Sequence, residues 1–393
     1  MKSRRALGIA LVACTADRPG DVRRRVLSQF HDDELAQLAQ HASRHRVVAF
    51  LAAAVRTAGL HVSDDAAAGL ARTHATRTAA HLRVLADLDN VRQALASQDV
   101  PFLVVKGPIL SEHLYPSADL RTYEDLDLLV PPGSFERAVD ALRGSGSLLL
   151  DRNWALTRAD TRGQLHFQLP MGTLADVHWH LLNRENVRGG FAIDTDDLFE
   201  RSREVEVGGG SVPTLDPVDT LVHVALHAAL SGGDRLIWLK DIERAIVVEQ
   251  PPWDAVIERA RAWKAGRSIA ITLNRSRRAL GAPVPEDVLD ALFGSRTWRR
   301  ISDRIDHRFP TESSVGRESP AVFWAQLTRD SGIATARAVR DRAFRRLRAM
   351  THGGSSPGAI FTSSGTKEDQ RTFLQRVASE DSRRRDDGAG AAQ

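Results

Sequence analysis

Tyr123-Glu124-Asp125-Leu126-Asp127-Leu128-Leu129-Val130 alternates acidic and apolar residues, and that period constrains the chain more than any other stretch. Side chains two residues apart on a β-strand share a face. The segment therefore reads as a strand with Leu126 and Leu128 in a core and Asp125 and Asp127 side by side on the opposite face. Adjacent carboxylates repel each other. A cation between them relieves the repulsion, and Mg²⁺ held by one or two carboxylates plus substrate phosphates is a common arrangement in phosphoryl chemistry.

Leu174-Ala175-Asp176-Val177-His178-Trp179-His180-Leu181 repeats the pattern. It places Asp176, His178 and His180 on one face, and Val177, Trp179 and Leu181 on the other. A strand carrying Asp176 beside Asp125 and Asp127 would complete a three-carboxylate site able to hold two divalent ions, one activating an acceptor oxygen and one neutralising a leaving group. Upstream, Lys106-Gly107-Pro108 offers a cation for phosphates and a helix start whose amide groups face an anion. Arg121 suits bidentate phosphate binding, with pairing to Glu124 as the alternative. His178 reads equally as a group touching an acceptor or phosphate and as a structural histidine. Arg235 and Asp241 fall where the acceptor side could be lined.

Other constellations carry less. His223-x-x-x-His227 has zinc-compatible helical spacing but lacks the glutamate of a metalloprotease helix, so it reads as a core or lining helix. The single cysteine, Cys14, excludes a cysteine-rich zinc module and an internal disulfide framework. No P-loop or protein-kinase signature is present. A formal charge of +4 over 393 residues permits an anionic partner without requiring one. No run approaches the roughly 20 apolar residues that cross a bilayer. Met1 to Cys14 imitates a short lipoprotein signal, yet it also reads as a first amphipathic helix.

The organisation is helical, then mixed, then helical. Residues 1–98 form an N-terminal helical region, with helices at Glu34 to Ala58 and Asp65 to Ala96 and Ser63 as an N-cap. Residues 99–215 form an α/β core with strands at Phe102 to Lys106, Asp125 to Val130, Leu148 to Asp151, Leu165 to Leu169 and Leu174 to Leu182. Helices are expected from Pro108 and over Ser134 to Arg143. Residues 216–350 form a C-terminal helical region, with helices at Pro217 to Leu230, Leu236 to Val248, Trp253 to Trp263, Ser268 to Leu280 and Ala321 to Met350. The last of these crowds Arg337, Arg340, Arg342, Arg345, Arg346 and Arg348, either a solvated face or a surface for a membrane, RNA or an acidic partner. Residues 351–393 are rich in Gly, Ser and charge and read as a disordered tail. The fold class is α+β, a small mixed sheet flanked by helical regions.

Taken together, Val105-Lys106-Gly107-Pro108-Ile109-Leu110, Tyr115, Arg121, Asp125-x-Asp127-Leu-Leu-Val, Asp176-Val-His178-Trp and Arg235-Leu-Ile-Trp238-Leu-Lys-Asp241 resemble the uncharacterised nucleotidyltransferase family. That family belongs to the DNA polymerase beta-like nucleotidyltransferase superfamily. The resemblance runs from about residue 5 to residue 250 and includes Leu38-Ala39-Gln40-His41-Ala42-Ser43-Arg44-His45-Arg46-Val47-Val48. The superfamily usually carries Gly-Ser or Gly-Gly before the Asp pair; here Lys106-Gly107 stands there with a longer gap, as in the family.

The resemblance implies an enzyme that moves a nucleoside monophosphate from a nucleoside triphosphate such as ATP to an acceptor hydroxyl and releases pyrophosphate. It implies Mg²⁺ or Mn²⁺ at Asp125, Asp127 and Asp176 as metal-binding and catalytic residues, with Lys106, Gly107 and Arg121 at the nucleotide. His178, Arg235 and Asp241 are expected on the acceptor side or behind the ligands. A small molecule or a peptide or protein is favoured over RNA as acceptor, since no RNA-binding module is recognisable. Use of a nucleoside triphosphate and Mg²⁺ implies a cytoplasmic protein. The alternative is a noncatalytic nucleotide- or partner-binding module that retains the fold; retention of all three carboxylates argues against it.

Overall fold

The computed structural model describes residues 2–59, 64–313, 319–352 and 360–391. Ser63, the expected N-cap, lies outside them. The chain is of mixed α+β class and divides into two compact units, each assembled from three separate stretches.

The sheet unit comprises residues 80–109, 123–216 and 340–393. Its five-stranded sheet contains β1 (Leu103–Val104), β2 (Asp125–Leu129), β3 (Leu148–Leu149), β4 (Gln164–Gln168) and β5 (Leu174–His178). They are ordered β1-β2-β5-β4-β3. β2 and β5 pair in parallel, whereas the other neighbours are antiparallel. One face is apolar: Leu126, Leu128, Ala175, Val177, Leu165 and Phe167 are fully buried. They pack with Val84, Leu88, Val91 and Leu95 of the long helix Asp64–Ala96 and with helix Phe135–Gly144. The helical segments cover that face, which leaves the other for polar groups.

A separate hairpin, β6 (Arg203–Val207) and β7 (Gly210–Thr214), turns at Gly208-Gly209, both with positive φ. Thr214 Oγ1 ties it to the sheet by donating to the Val104 carbonyl at 2.6 Å.

Of residues 351–393, expected as a disordered tail, 353–359 and 392–393 lie outside the described residues, and the part from 360 onward is a correction. Helix Lys367–Ala391 buries Phe373, Leu374 and Val377 in the core of this unit. Before it, the Ile360 carbonyl accepts from the Arg152 and Asn153 amides, and the Ser364 carbonyl from Trp154. The i, i+1, i+4 apolar stripe is narrow, so polar composition around it concealed a docking helix.

The helical unit comprises residues 1–79, 110–122 and 217–339. Helix Arg4–Thr15 buries Leu7, Ala10, Leu11, Ala13 and Cys14, so the start of the described chain is a packed amphipathic helix. The single helix expected from Glu34 to Ala58 is two, Asp32–Arg44 and Val48–Ala58. Arg46 adopts φ 58°, the Val47 amide donates to the Ala42 carbonyl and the Arg46 amide to Ser43. This is a Schellman stop with arginine where glycine usually stands.

The helix expected from Ala321 to Met350 is likewise split into Pro320–Leu327 and Gly332–His352. Asp330 in the break caps helix Gly266–Leu280, accepting from the Gly266 and Arg267 amides at 3.1 and 2.8 Å. Arg345, Arg346 and Arg348 have side chains outside the described residues. The helix expected from Pro108 is a single turn that continues as the π-helical segment Leu110–Leu114.

Candidate active site

The site forms on the polar face of the five-stranded sheet. Parallel pairing of β2 with β5 sets Asp127 opposite Asp176, Asp125 opposite Leu174 and Leu129 opposite His178. On the other side of β5, His166 stands opposite Asp176 and Gln164 opposite His178. Facing residues of paired strands share a face, so Asp125, Asp127, Asp176, His178, Gln164 and His166 collect there.

β5 is held in this register by its own hairpin. Gly172 takes φ 92° in the turn, and the buried Asp87 carboxylate accepts from the Met171 and Thr173 amides at 2.8 and 3.0 Å.

Asp127, Asp176 and His178 each offer a ligand atom, and these atoms lie within 4.8 Å of one another. Among the described residues this is the group of acidic, histidine and cysteine side chains close enough to share a metal ion. Asp125, half-buried at the entrance of β2, is not in that close group. Lys106 Nζ lies 3.2 Å from Asp127 Oδ1, and His178 Nε2 lies 3.2 Å from the same oxygen. The buried His178 Nδ1 has no hydrogen-bond partner among the described residues. A buried carboxylate, Asp127, the half-buried Asp176, a third at the strand entrance and an imidazole nitrogen with no hydrogen-bond partner among the described residues form a donor set that fits Mg²⁺ or Mn²⁺, hard ions that take carboxylate oxygens, the latter also accepting imidazole.

Lys106 follows β1 in a tight bend. The Val105 amide donates to the Asp127 carbonyl at 3.2 Å, and the Ile109 amide donates back to the Lys106 carbonyl at 3.2 Å. Gly107 makes the bend with φ 55°; a Cβ there would sit 3.3 Å from the Asp125 carbonyl oxygen. Glycine is thus required both by the left-handed backbone and by the approach of β2.

Sequence reasoning missed the groups behind Asp176. Gln164 Nε2 donates to Asp176 Oδ2 at 2.7 Å, and His166 Nε2 lies 3.8 Å from Asp176 Oδ1. The buried Asp151 binds His166 Nδ1 at 3.0 Å. Burial alone would lower the His166 pKa, but the Asp151 hydrogen bond and the charges of Asp151 and Asp176 outweigh it and hold the pKa above the usual value. Burial pushes the Asp176 carboxyl up; Asp127 adds to this while His178, His166 and Lys106 pull the other way. The alternation of Gln164, His166 and Gln168 was visible in the sequence, but only pairing to β5 says which face they join.

Arg121, Arg235 and Asp241 belong to the helical unit. Arg121 is buried and committed to Asp241, with Nε and Nη2 donating at 2.7 and 3.1 Å. Tyr115 Oη donates to the same carboxylate at 2.7 Å. Burial, then the charge of Asp241, raises the Tyr115 pKa well above its ordinary value, so the phenol stays a donor. Arg235 caps the start of helix Leu236–Glu249 and lies over the Trp238 ring at 4.9 Å. His223 and His227 have ring centroids 6.3 Å apart on helix Pro217–Ser231.

Two solved structures show similarity. One is the solution structure of the antibiotic-resistance factor ANT(2'')-Ia, described as having substrate-regulated conformation dynamics: 13% identity, 49% of this chain and 96% of that chain covered, TM-score 0.32. The other is a crystal structure of an antigenic nucleotidyltransferase-like protein from Paracoccidioides brasiliensis: 15% identity, 55% and 97% covered, TM-score 0.30. No curated protein matches the chain. The model of the uncharacterised nucleotidyltransferase family matches residues 31–281, a span that holds both the Asp127, Asp176 and His178 cluster and Lys106. The chain belongs to the uncharacterised nucleotidyltransferase family.

Proposed function

We propose that this protein transfers a nucleoside monophosphate from a nucleoside triphosphate to an acceptor hydroxyl, on a small molecule or a peptide or protein, in the cytoplasm. The reading rests on one observation above all: two carboxylates, Asp127 and Asp176, stand opposite each other on parallel strands, with Lys106 and His178 close to Asp127. Like charges this close oppose ionisation of both, and a cation between them would relieve that repulsion.

Asp125, Asp127 and Asp176 would hold Mg²⁺ or Mn²⁺, with His178 as an added ligand or a hydrogen-bonding support. When bound, the ions would neutralise phosphate charge and lower the pKa of the acceptor hydroxyl. The acceptor oxygen forms a bond to the α-phosphorus while the bond from that phosphorus to the bridging oxygen breaks, and pyrophosphate leaves with the electron pair. Asp176 takes the hydroxyl proton. Gln164 and His166 hold Asp176 in its rotamer, and Asp151 orients His166. Lys106 sits where it can turn from Asp127 to a phosphate oxygen, and Gly107 lets the backbone approach closely. The gain is chiefly positioning and charge neutralisation, since the loose phosphoryl transition state asks little covalent chemistry of the protein. The expected part of Arg121 at the triphosphate gives way to a structural one, holding Asp241 together with Tyr115.

Calorimetric titration of each nucleoside triphosphate, with and without Mg²⁺, tests the reading in wild type and in Asp125→Asn/Asp127→Asn. Metal-dependent binding of one nucleotide that disappears in the variant is expected. Equal binding by both proteins would overturn the site.

A further inference from the structure

Within the helical unit lies a cavity of about 200 Å³ that the proposed reaction does not use. Its polar lining is unusual for a helical core: Arg23, Lys240 and Arg244 converge on it, and Asp17 stands among them. Phe50, Ala53, Pro116 and Leu120 supply an apolar wall. Cys14 also borders it, but burial, opposed by Arg23, pushes its thiol up to about 12, so it offers a neutral surface.

The charges at the cavity are unevenly matched. Lys240, with a side chain 2% exposed, already has a buried partner, Glu243 Oε2 at 2.8 Å. A second carboxylate, Asp17 Oδ1, reaches its Nζ at 3.2 Å, and Asp17 Oδ2 lies 3.6 Å from Arg244 Nη1. Arg244 Nε is occupied by the Leu114 carbonyl at 2.8 Å. Arg23 donates one Nη2 bond to the Arg18 carbonyl, whereas its Nε is buried with no hydrogen-bond partner among the described residues. Three cations thus face two carboxylates. One of those, Asp17, is 66% exposed and sits in the short link between helices Arg4–Thr15 and Gly20–Leu27. A buried donor left unmade is costly, and a guanidinium suits carboxylate recognition.

We propose that this cavity binds a small carboxylate with a compact apolar body, its head replacing the Asp17 side chain at Lys240 and Arg244 and taking Arg23 as a further donor, and its body resting against Phe50 and Leu120. Asp17 then acts as a tethered competitor that fills the cation site when the ligand is absent. A cavity this size admits one six-membered ring with its head group: an apolar cavity of about 150 Å³ holds benzene.

The probe is 4-fluorobenzoate, titrated into the full chain and followed by its ¹⁹F signal, with uncharged 4-fluorotoluene as control. Saturable binding of the acid and none of the toluene are expected. Asp17→Asn should tighten binding about fivefold, because the internal competitor is gone; Arg23→Gln should weaken it about tenfold, the scale of one charge-assisted contact. Ala53→Leu, which fills the cavity with an apolar group, should abolish it. Lys240→Met should weaken it too, and if that variant fails to fold, the Arg23 and Ala53 variants still decide. Weaker or unchanged binding in Asp17→Asn, or equal binding in Arg23→Gln, would overturn the proposal. Asp127→Asn should leave benzoate binding unaltered, so this inference and the proposed transferase reaction fail separately.

Discussion

The arginine-paired acids of the helical unit and the acids on the sheet face are partnered differently. In the helical unit three buried acids each pair with one arginine: Asp306 with Arg275 at 2.8 Å, Asp241 with Arg121 at 2.7 Å, and Asp219 with Arg259. Arg275 also donates to the carbonyls of Gly232 and Ala321, so its guanidinium is nearly saturated. On the sheet face Asp127 lies against Lys106 and His178, Asp176 lies near His166, and Nδ1 of His178 has no hydrogen-bond partner among the described residues. One-to-one acid–arginine pairs tie helices together, whereas crowded carboxylates keep capacity for something to bind. Partner chemistry, rather than burial alone, separates a structural acid from a candidate ligand.

The largest effect expected from that contrast is on stability in the helical unit. Arg275→Ala should cost about 3–5 kcal/mol in urea unfolding, because it strands the buried Asp306 carboxylate and two carbonyls. A cost below about 1 kcal/mol would show that the pair is no lock. On the sheet face the effect should move to turnover: Asp127→Asn is expected to lower nucleotidyl transfer about 10²–10³-fold, the scale of one lost electrostatic contact at the reacting centre. Its urea midpoint should shift by less than that of Arg275→Ala, since the variant also removes a like-charge repulsion. A large loss of stability with activity retained would erase the contrast.

The next effect concerns pH. His45 is fully buried; burial lowers its pKa to about 3 from 6.5, with His41 and Arg235 acting in the same direction and the Glu312 backbone in the opposite one. The folded state therefore excludes a proton that the unfolded chain accepts. This stabilisation is complete above about pH 6.5 and is lost progressively as pH falls toward about 3. His41 is shifted the same way, chiefly by burial, and adds to the slope. Unfolding free energy measured across that window should fall by up to about 1.4 kcal/mol per pH unit for His45, and His45→Gln should be flatter than wild type by that amount.

The smallest effect is at Gly107. Alanine there would be strained by φ 55° and would press on the Asp125 carbonyl, costing about 1–2 kcal/mol and weakening nucleotide binding through the position of β2. Unchanged binding in Gly107→Ala would separate the bend from the site.

Much of this was legible in the residues, though unevenly. The β2 and β5 alternations identified strands, their apolar faces and the acids opposite, because a period of two leaves no other way to bury Leu126, Leu128, Val177 and Trp179. Four helices between Pro217 and Leu280 fall close to their expected spans, since apolar stripes and flanking breaks mark them locally. The β6 and β7 hairpin carried a signal in Arg203-Glu204-Val205-Glu206-Val207-Gly208-Gly209 that reasoning focused on the acids passed over. The stops at Arg46 and at Thr328 to Ser331 were harder, because non-glycine residues make them and long-range capping by Asp330 sustains one.

The sequence by itself determined which residues lie on a strand's polar face and which enter a core, because side-chain period and solvent preference are local properties. It determined the family as well, through the order of its motifs. Only the tertiary structure decided that Asp176 stands opposite Asp127 rather than one residue out of register, that Gln164, His166 and Asp151 gather behind it, and that Arg121 is spent on Asp241. Register, pairing order and the partner of a buried charge depend on segments tens to more than a hundred residues apart, and no local pattern carries that information.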